Sequence, residues 1–251
     1  MNRRHLFEFG DQTWLPAILR DGLTALLKTQ SEAIYSRVIP KLQEFLLVAG
    51  TKEVIDIGSG SGGPWERLLP ELQACGAALS VLFTDKFPPK NGIAVHPDIR
   101  FYPEPVDAQN IPENLKGCRT FFTAFHHFNP QTALHILQSQ VLSHQPIAIF
   151  EFTERKWQNI GGMMLSPIVV WLQMPFIKPL KWQWLFFTYL LPLLPFIYCW
   201  DGLVSHWRSY TPAEIQKMID QLPANQYIWE VGNIPDTGAG IKINYLLGWE
   251  A

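Results

Sequence analysis

The chain has 251 residues, of which 47% are hydrophobic and 17% charged, and this composition excludes a disordered or collagen-like protein. The formal net charge is −2, so the basic surplus typical of nucleic-acid-binding proteins is absent, and we expect no nucleic-acid partner. Three scattered cysteines predict neither a disulfide framework nor a zinc site. The first residues contain no apolar signal-peptide core, so we expect a cytoplasmic protein.

Hydrophobic spacing and helix- or strand-breaking residues predict helices and strands that alternate along the chain. Two amphipathic helices are expected at 12–29 and 31–49, with Ser31 as the N-cap of the second, Pro40 inside it and Gly50 at its end. The other expected elements, in chain order, are a strand at 54–57, a helix at 64–75, strands at 78–85, 99–107 and 119–125, a helix at 130–143, a strand at 145–152, a helix at 211–222, and strands at 227–235 and 241–250.

This order predicts an α/β fold with a doubly wound, mostly parallel seven-stranded sheet of Rossmann-like type. The short link 236–240 contains glycine and favours an antiparallel C-terminal hairpin. We expect a single domain, with N-terminal helices over 1–50 and an apolar helical insertion over 157–200.

A glycine-rich segment, Asp56-Ile57-Gly58-Ser59-Gly60-Ser61-Gly62-Gly63, follows the first predicted strand. Glycines there let the backbone approach a ligand closely, and the next helix offers free N–H groups. Read as GxGxxG, with Gly58, Gly60 and Gly63, the segment is a dinucleotide-binding loop. Read as DxGxGxG, with Asp56, Gly58, Gly60 and Gly62, it resembles motif I of class I S-adenosylmethionine-dependent methyltransferases.

Further residues favour the methyltransferase resemblance, which covers about 50–155 and 205–251. Asp85 ends the second strand, where that family has an acid that binds the ribose hydroxyls. Asp107 and Ala108 follow the third strand, where the family contacts the adenine, and the segment from Thr123 follows the fourth. The resemblance therefore implies S-adenosylmethionine as cofactor. The residues expected to bind it are Asp56, Gly58, Gly60, Gly62, Asp85, Asp107, Ala108 and Thr123.

Candidate catalytic side chains lie where the fourth and fifth strands end, which is where open α/β sheets bind ligands. A base is useful if the methyl acceptor is a hydroxyl group. His127 is the first choice for that base and Glu151 the second, while His126 is a further candidate; both histidines could instead be structural. No metal site is expected. Asp201, Ser205, Arg208 and Tyr210 could close over the same crevice.

The segment 157–200 is strongly apolar, because its 44 residues include only two charges, Lys178 and Lys181. Its uncharged runs, 157–177 and 182–200, are each long enough to span a bilayer. Because later strands must rejoin the sheet, three alternatives remain: an interfacial or re-entrant cap, a cap over the pocket of a soluble enzyme, or a transmembrane helical hairpin.

We therefore expect a methyltransferase for an apolar small-molecule or lipid-like acceptor, in contact with the cytoplasmic face of a membrane. A homodimer is a further possible assembly. The alternative is a non-catalytic protein that binds the cofactor or an apolar ligand on the same fold. A nicotinamide oxidoreductase fits less well, because its ribose acid is expected about 20 residues after the glycines, whereas Asp85 lies 27 residues after Gly58.

Overall fold

A computed structural model describes residues 1–60, 62–88, 96–223, 226–235 and 240–251. The chain forms two compact units, which we call the apolar unit (1–31 with 153–210) and the sheet unit (32–152 with 211–251). These limits differ from the expected helices at 1–50 and insertion at 157–200. The reason is that Leu15, Leu19 and Leu23 near the N-terminus pack in one cluster with Leu194 and Ile197.

The sheet unit contains one seven-stranded sheet of order β3-β2-β1-β4-β5-β7-β6. The first five strands pair in parallel, whereas β7 pairs antiparallel with both β5 and β6. The predicted fold class, with its antiparallel hairpin, is therefore confirmed. The strands are β1 Glu53–Ile57, β2 Ser80–Thr84, β3 Ile99–Phe101, β4 Cys118–Phe122, β5 Ile147–Glu151, β6 Tyr227–Ile234 and β7 Ile243–Glu250.

Strand β3 is much shorter than the predicted strand 99–107, because Pro103 and Pro105 cannot donate to a ladder. Most of the predicted hairpin link, 236–239, lies outside the described residues. The pairing of β6 with β7 runs from Tyr227 opposite Glu250 to Ile234 opposite Ile243.

Two helices of the sheet unit begin at a side-chain cap. Helix α4 begins at Pro130, and the side chain of Asn129 caps it by accepting from Thr132 N–H at 3.0 Å. The predicted capping box of Thr211 and Glu214 is present at the start of α9. The helices are α2 Ile39–Val48, α3 Trp65–Ala74, α4 Pro130–Ser143 and α9 Pro212–Ile219.

The predicted boundary between the two N-terminal helices is wrong. Helix α1 runs from Ala17 to Tyr35 without a break at Ser31, whose hydroxyl donates to the Lys28 carbonyl instead of capping a new helix. Pro40 lies in the first turn of α2, where its missing N–H costs nothing, and so it does not kink the helix.

The apolar unit divides the two apolar runs into short pieces. Its helices are α5 Trp157–Met163, α6 Ser166–Gln173, α7 Trp182–Leu185 and α8 Leu193–Arg208, with a π-helical turn at Phe186–Leu190. Within the described ranges, no single helix is both long and apolar enough to cross a membrane. The pair Trp182–Leu190 and Leu193–Arg208, bent by 80°, reaches the required length and composition only when taken together.

Polar groups near the end of α8 bind the N-terminal segment within the same unit. Asp201 accepts from the backbone N–H groups of Phe9 and Gly10, at 2.7 and 2.9 Å. The guanidinium of Arg208 lies 2.8 Å from Asp11 and 3.3 Å from Glu8. Asp201, Ser205 and Arg208, which the sequence suggested for a crevice, therefore make their bonds to this segment or within α8.

Candidate cofactor and catalytic site

The loop between β1 and α3 has a backbone that favours glycine at four positions. Gly58, Gly60, Gly62 and Gly63 have φ angles of +71°, +56°, +122° and +53°. A Cβ added at Gly62 would lie 3.2 Å from the Phe83 ring, which is tighter than an ordinary contact. Ser61 lies outside the described residues. The loop therefore needs the glycines for its shape.

Asp56 lies beneath this loop rather than on its surface. Its side chain is 2% exposed and accepts a 2.7 Å hydrogen bond from the Thr120 hydroxyl of the neighbouring strand. Burial raises the pKa of Asp56 to about 6, although the hydrogen bond from the Thr120 hydroxyl lowers it. The geometry therefore supports a positioning role for Asp56, and its predicted direct role in cofactor binding stays a prediction.

Asp85 directly adjoins the glycine loop. One carboxylate oxygen accepts from Gly60 N–H at 2.8 Å, and the other accepts from Phe87 N–H at 2.7 Å. The side chain is partly exposed. Each oxygen has a second lone pair available to a hydroxyl group. The structure thus brings together the two elements that the sequence suggested for the cofactor.

Asp107 and Ala108 lie close to Asp85, because Val106 N–H donates to the Asp85 carbonyl at 2.9 Å. Asp107 is partly exposed and accepts from Gln109 N–H at 2.9 Å, while Ala108 is buried. The structure therefore places Asp107 and Ala108 near Asp85, and their predicted contact with the adenine stays a prediction.

Thr123 follows β4 in an unusual conformation, with a φ of +49°. Its N–H donates to the Phe150 carbonyl at 2.9 Å, and its hydroxyl contacts the hydroxyl of Tyr35. Tyr35 also donates to the Phe150 carbonyl at 2.9 Å. Burial and the nearby Glu151 charge raise the pKa of Tyr35 well above its usual value, so the hydroxyl stays protonated. Tyr35 was missed in the sequence, where it is one apolar-face residue among many.

His126 and Glu151 form a buried pair. The Phe125–His127 segment is a 3₁₀ turn, and one Glu151 oxygen accepts from the N–H groups of Phe125 and His126 at 2.8 and 3.2 Å. The other oxygen lies 2.8 Å from His126 Nδ1. Burial raises the pKa of Glu151, but the His126 charge and these donors outweigh it and leave the pKa below its ordinary value.

An ionised Glu151 can only accept, so His126 Nδ1 carries the ring proton towards it. In the neutral ring Nε2 is then the basic nitrogen. His127 is partly exposed, and its ring centroid lies 4.4 Å from that of His126. The carboxylate therefore orients His126, which the sequence had ranked behind His127.

These groups all follow the carboxyl ends of parallel strands: the glycine loop after β1, Asp85 after β2, the histidines after β4, and Glu151 at the end of β5. A sheet of this order, with a glycine-rich turn after its first strand and an acid after its second, is the fold of class I S-adenosylmethionine-dependent methyltransferases.

Solved structures with the same fold are distant in sequence. The plantazolicin methyltransferase BpumL in complex with SAH is 13% identical, with a TM-score of 0.59 over 97% of this chain and 94% of that one. Human N-acetylserotonin methyltransferase in complex with SAM is 13% identical, with a TM-score of 0.54 over 100% of this chain and 63% of that one. At these identities the likeness establishes the fold. No protein-family model and no curated protein sequence matches the chain.

Proposed function

We propose that this protein transfers a methyl group from S-adenosylmethionine to an apolar small-molecule or lipid-like acceptor. The observation that carries the proposal is the contact between Asp85 and the glycine loop, at the same sheet edge as the His126–Glu151 pair. Cofactor binding and proton transfer thus have groups at one end of one sheet, where open α/β sheets bind ligands.

The residues of this edge fit S-adenosylmethionine. Asp85 offers two oxygens to a vicinal diol, Asp107 offers an acceptor to an exocyclic amine, and Ala108 offers a small apolar contact. Gly58 and Gly62 have positive φ angles, which favour glycine. Because glycine has no side chain, a ligand would meet bare backbone at these two positions. When bound, the cofactor supplies an activated methyl group on a sulfonium. Solved structures of this fold hold SAM or SAH, which supports the same assignment.

In the proposed reaction, His126 Nε2, which is buried in the structure, would take the proton of an acceptor hydroxyl that reaches it. Glu151 holds the His126 ring in the tautomer with its proton on Nδ1, which leaves Nε2 as the nitrogen that accepts a proton. Glu151 also stabilises the imidazolium that forms. Burial of the pair excludes water and strengthens its electrostatic interaction. His127, the first choice from sequence, is the second candidate.

The apolar character of the acceptor is supported by the composition of the apolar unit, which has two charges between residues 157 and 200. The cofactor groups do not themselves favour an apolar acceptor, because a polar acceptor would use the same cofactor. Substrate class is therefore tested separately from methyl transfer.

The test combines calorimetry with S-adenosylmethionine and transfer of labelled methyl groups to a lipid or metabolite extract. We expect His126→Gln to lower transfer by about 10²–10⁴ with unchanged cofactor affinity. The matched control is His144→Gln, because His144 makes a similar 2.9 Å contact with Glu250 on the exposed surface. Labelled products that partition into organic solvent support an apolar acceptor.

A non-catalytic binding protein is the alternative. It predicts cofactor binding with no labelled product from any extract, and the same ligand affinities for wild type and His126→Gln. Wild-type protein that does not bind S-adenosylmethionine would overturn the proposal itself.

A further inference from the structure

Helix α6 of the apolar unit has apolar side chains on both its buried and its exposed sides. Ser166 and Val170 of this helix are buried in the unit, as is Met174 directly after it. Ile168, Trp171 and Leu172 are exposed, although the helix contains no charged residue. A helix that is apolar all round needs apolar surroundings on all its faces. The buried side chains of α6 have apolar surroundings within the unit. Its exposed side chains require apolar surroundings from another partner.

The exposed side of α6 continues onto the bend between α7 and α8. The Trp171 indole donates to the Thr188 carbonyl at 3.0 Å, and the Tyr189 hydroxyl donates to the Trp171 carbonyl at 2.6 Å. These two bonds hold α6 against the π-helical turn. We call the resulting surface the bend face; its exposed residues are Ile168, Trp171, Leu172, Phe186, Tyr189, Leu190 and Leu191.

The exposed Trp171 and Tyr189 of the bend face have their side-chain donors bonded internally, whereas the Thr188 hydroxyl of the same turn is buried without a hydrogen-bond partner among the described residues. The Trp171 N–H and the Tyr189 O–H both reach backbone carbonyls. At the bend, Leu191 N–H donates to the Phe186 carbonyl at 3.0 Å, Leu193 N–H donates to the Leu191 carbonyl, and Pro192 has no N–H. A donor without an internal partner can bond to water but not to hydrocarbon, so its transfer into a bilayer costs free energy. The exposed side-chain donors of the face are thus satisfied, which suits insertion among acyl chains.

The extent and charge of the surface point to a lipid partner. Among the described residues, 16 of the 24 exposed large hydrophobic side chains lie between 157 and 200. That stretch contains no acidic residue, and its two lysines, Lys178 and Lys181, adjoin the exposed aromatic residues Phe176 and Trp182. Lys181 is bonded to Asp21, whereas Lys178 is exposed at the same turn.

Apolar surface with aromatic and cationic residues nearby complements an anionic bilayer surface. A second copy of this chain would bring no acidic group from this stretch to meet the lysines. We propose that the bend face docks on an anionic lipid bilayer, with Leu190 and Leu191 inserted among the acyl chains and Lys178 at the headgroups. The inference concerns the apolar unit alone and does not rest on the proposed methyl transfer.

The test is flotation of the full chain with vesicles of phosphatidylcholine, with and without phosphatidylglycerol. The variant Leu172→Asp/Leu190→Asp places two carboxylates at positions that are 69% and 76% exposed, so the fold has room for them. The matched control is Leu142→Asp on helix α4, which is 73% exposed but lies in the sheet unit. Thermal melts check that all three proteins are folded.

We expect wild type and Leu142→Asp to float with the mixed vesicles, and the double variant to bind them at least about tenfold more weakly. Lys178→Gln should weaken binding to the mixed vesicles and leave binding to pure phosphatidylcholine unchanged. Equal flotation of the folded double variant and wild type would overturn the proposal. So would a wild type that binds no vesicle but forms a dimer that the double variant abolishes, because the occupant would then be a second copy.

Discussion

Replacement of Glu151 by glutamine separates the orientation of His126 from the shape of its loop. In the wild type, a single Glu151 oxygen accepts from the N–H groups of both Phe125 and His126. An amide oxygen can keep these two bonds. The amide NH₂ then faces His126 Nδ1 at the 2.8 Å where the second carboxylate oxygen lay. Because an NH₂ group donates, Nδ1 must accept, and the ring proton moves to Nε2.

The tautomer change removes the basic nitrogen that the proposed reaction uses. General-base catalysis contributes about 10²–10⁴ in rate, which corresponds to about 3–5 kcal/mol at 1.36 kcal/mol per tenfold. The loss in folding stability should be smaller, about 1–2 kcal/mol, because the three hydrogen bonds to the carboxylate are kept as neutral ones while a buried charge is removed. Affinity for S-adenosylmethionine should change by less than about twofold, since Asp85 and the glycine loop are untouched.

Three measurements on Glu151→Gln decide the matter: single-turnover methyl transfer, calorimetry with the cofactor, and nitrogen NMR of the histidine tautomer. Glu250→Gln is the matched control, because it alters the exposed contact with His144 in the same way. A Glu151→Gln protein with its ring proton on Nε2 and a rate within about threefold of wild type would refute the reasoning.

Three further predictions concern the loop, its acid and the apolar unit. Asp85→Ala should weaken S-adenosylmethionine binding at least about tenfold in calorimetry, because it removes both ribose acceptors; unchanged affinity would contradict the placement of the ribose. Gly62→Val should lower the free energy of unfolding by about 1–3 kcal/mol in denaturant titrations, because φ is +122° and Phe83 lies close; full stability would show that the loop adapts. Burial raises the Asp201 pKa from 3.8 to about 7, so the folded chain holds its proton more tightly than the unfolded chain. This contribution to stability is present below pH 4 and is lost as the pH rises towards 7. Asp201→Asn should flatten that part of the thermal-melting profile, and a melting profile with the wild-type slope would contradict the assignment.

The alternation of helical and strand patterns was enough to predict the sheet class, because each pattern reflects which side of an element is buried. The glycine loop and the acid after the second strand were also readable locally. Both depend on residue type at a strand end: glycine for a positive φ at Gly58 and Gly62, and a carboxylate at Asp85. As cofactor ligands these residues remain predictions, while their proximity is established.

Element boundaries were less predictable where a local signal competed with packing. Ser31 has the residue type of an N-cap, yet α1 continues to Tyr35. The Tyr35 ring is buried, and its hydroxyl donates to the Phe150 carbonyl, which fixes this end of the helix. Tertiary contact thus outweighed a capping preference that is worth about 1 kcal/mol.

The amino-acid sequence by itself determined the α/β class, the glycine loop, Asp85 and the apolar stretch, because each is a short-range pattern of size, charge or hydrophobicity. Only the tertiary structure decided that Glu151 orients His126, since Glu151 lies 25 residues beyond His126 and reaches it because β4 and β5 run side by side. It also decided which faces of 157–200 are covered. Composition states how much apolar surface a segment has, whereas the packing of α6 and α8 determines which of it remains exposed.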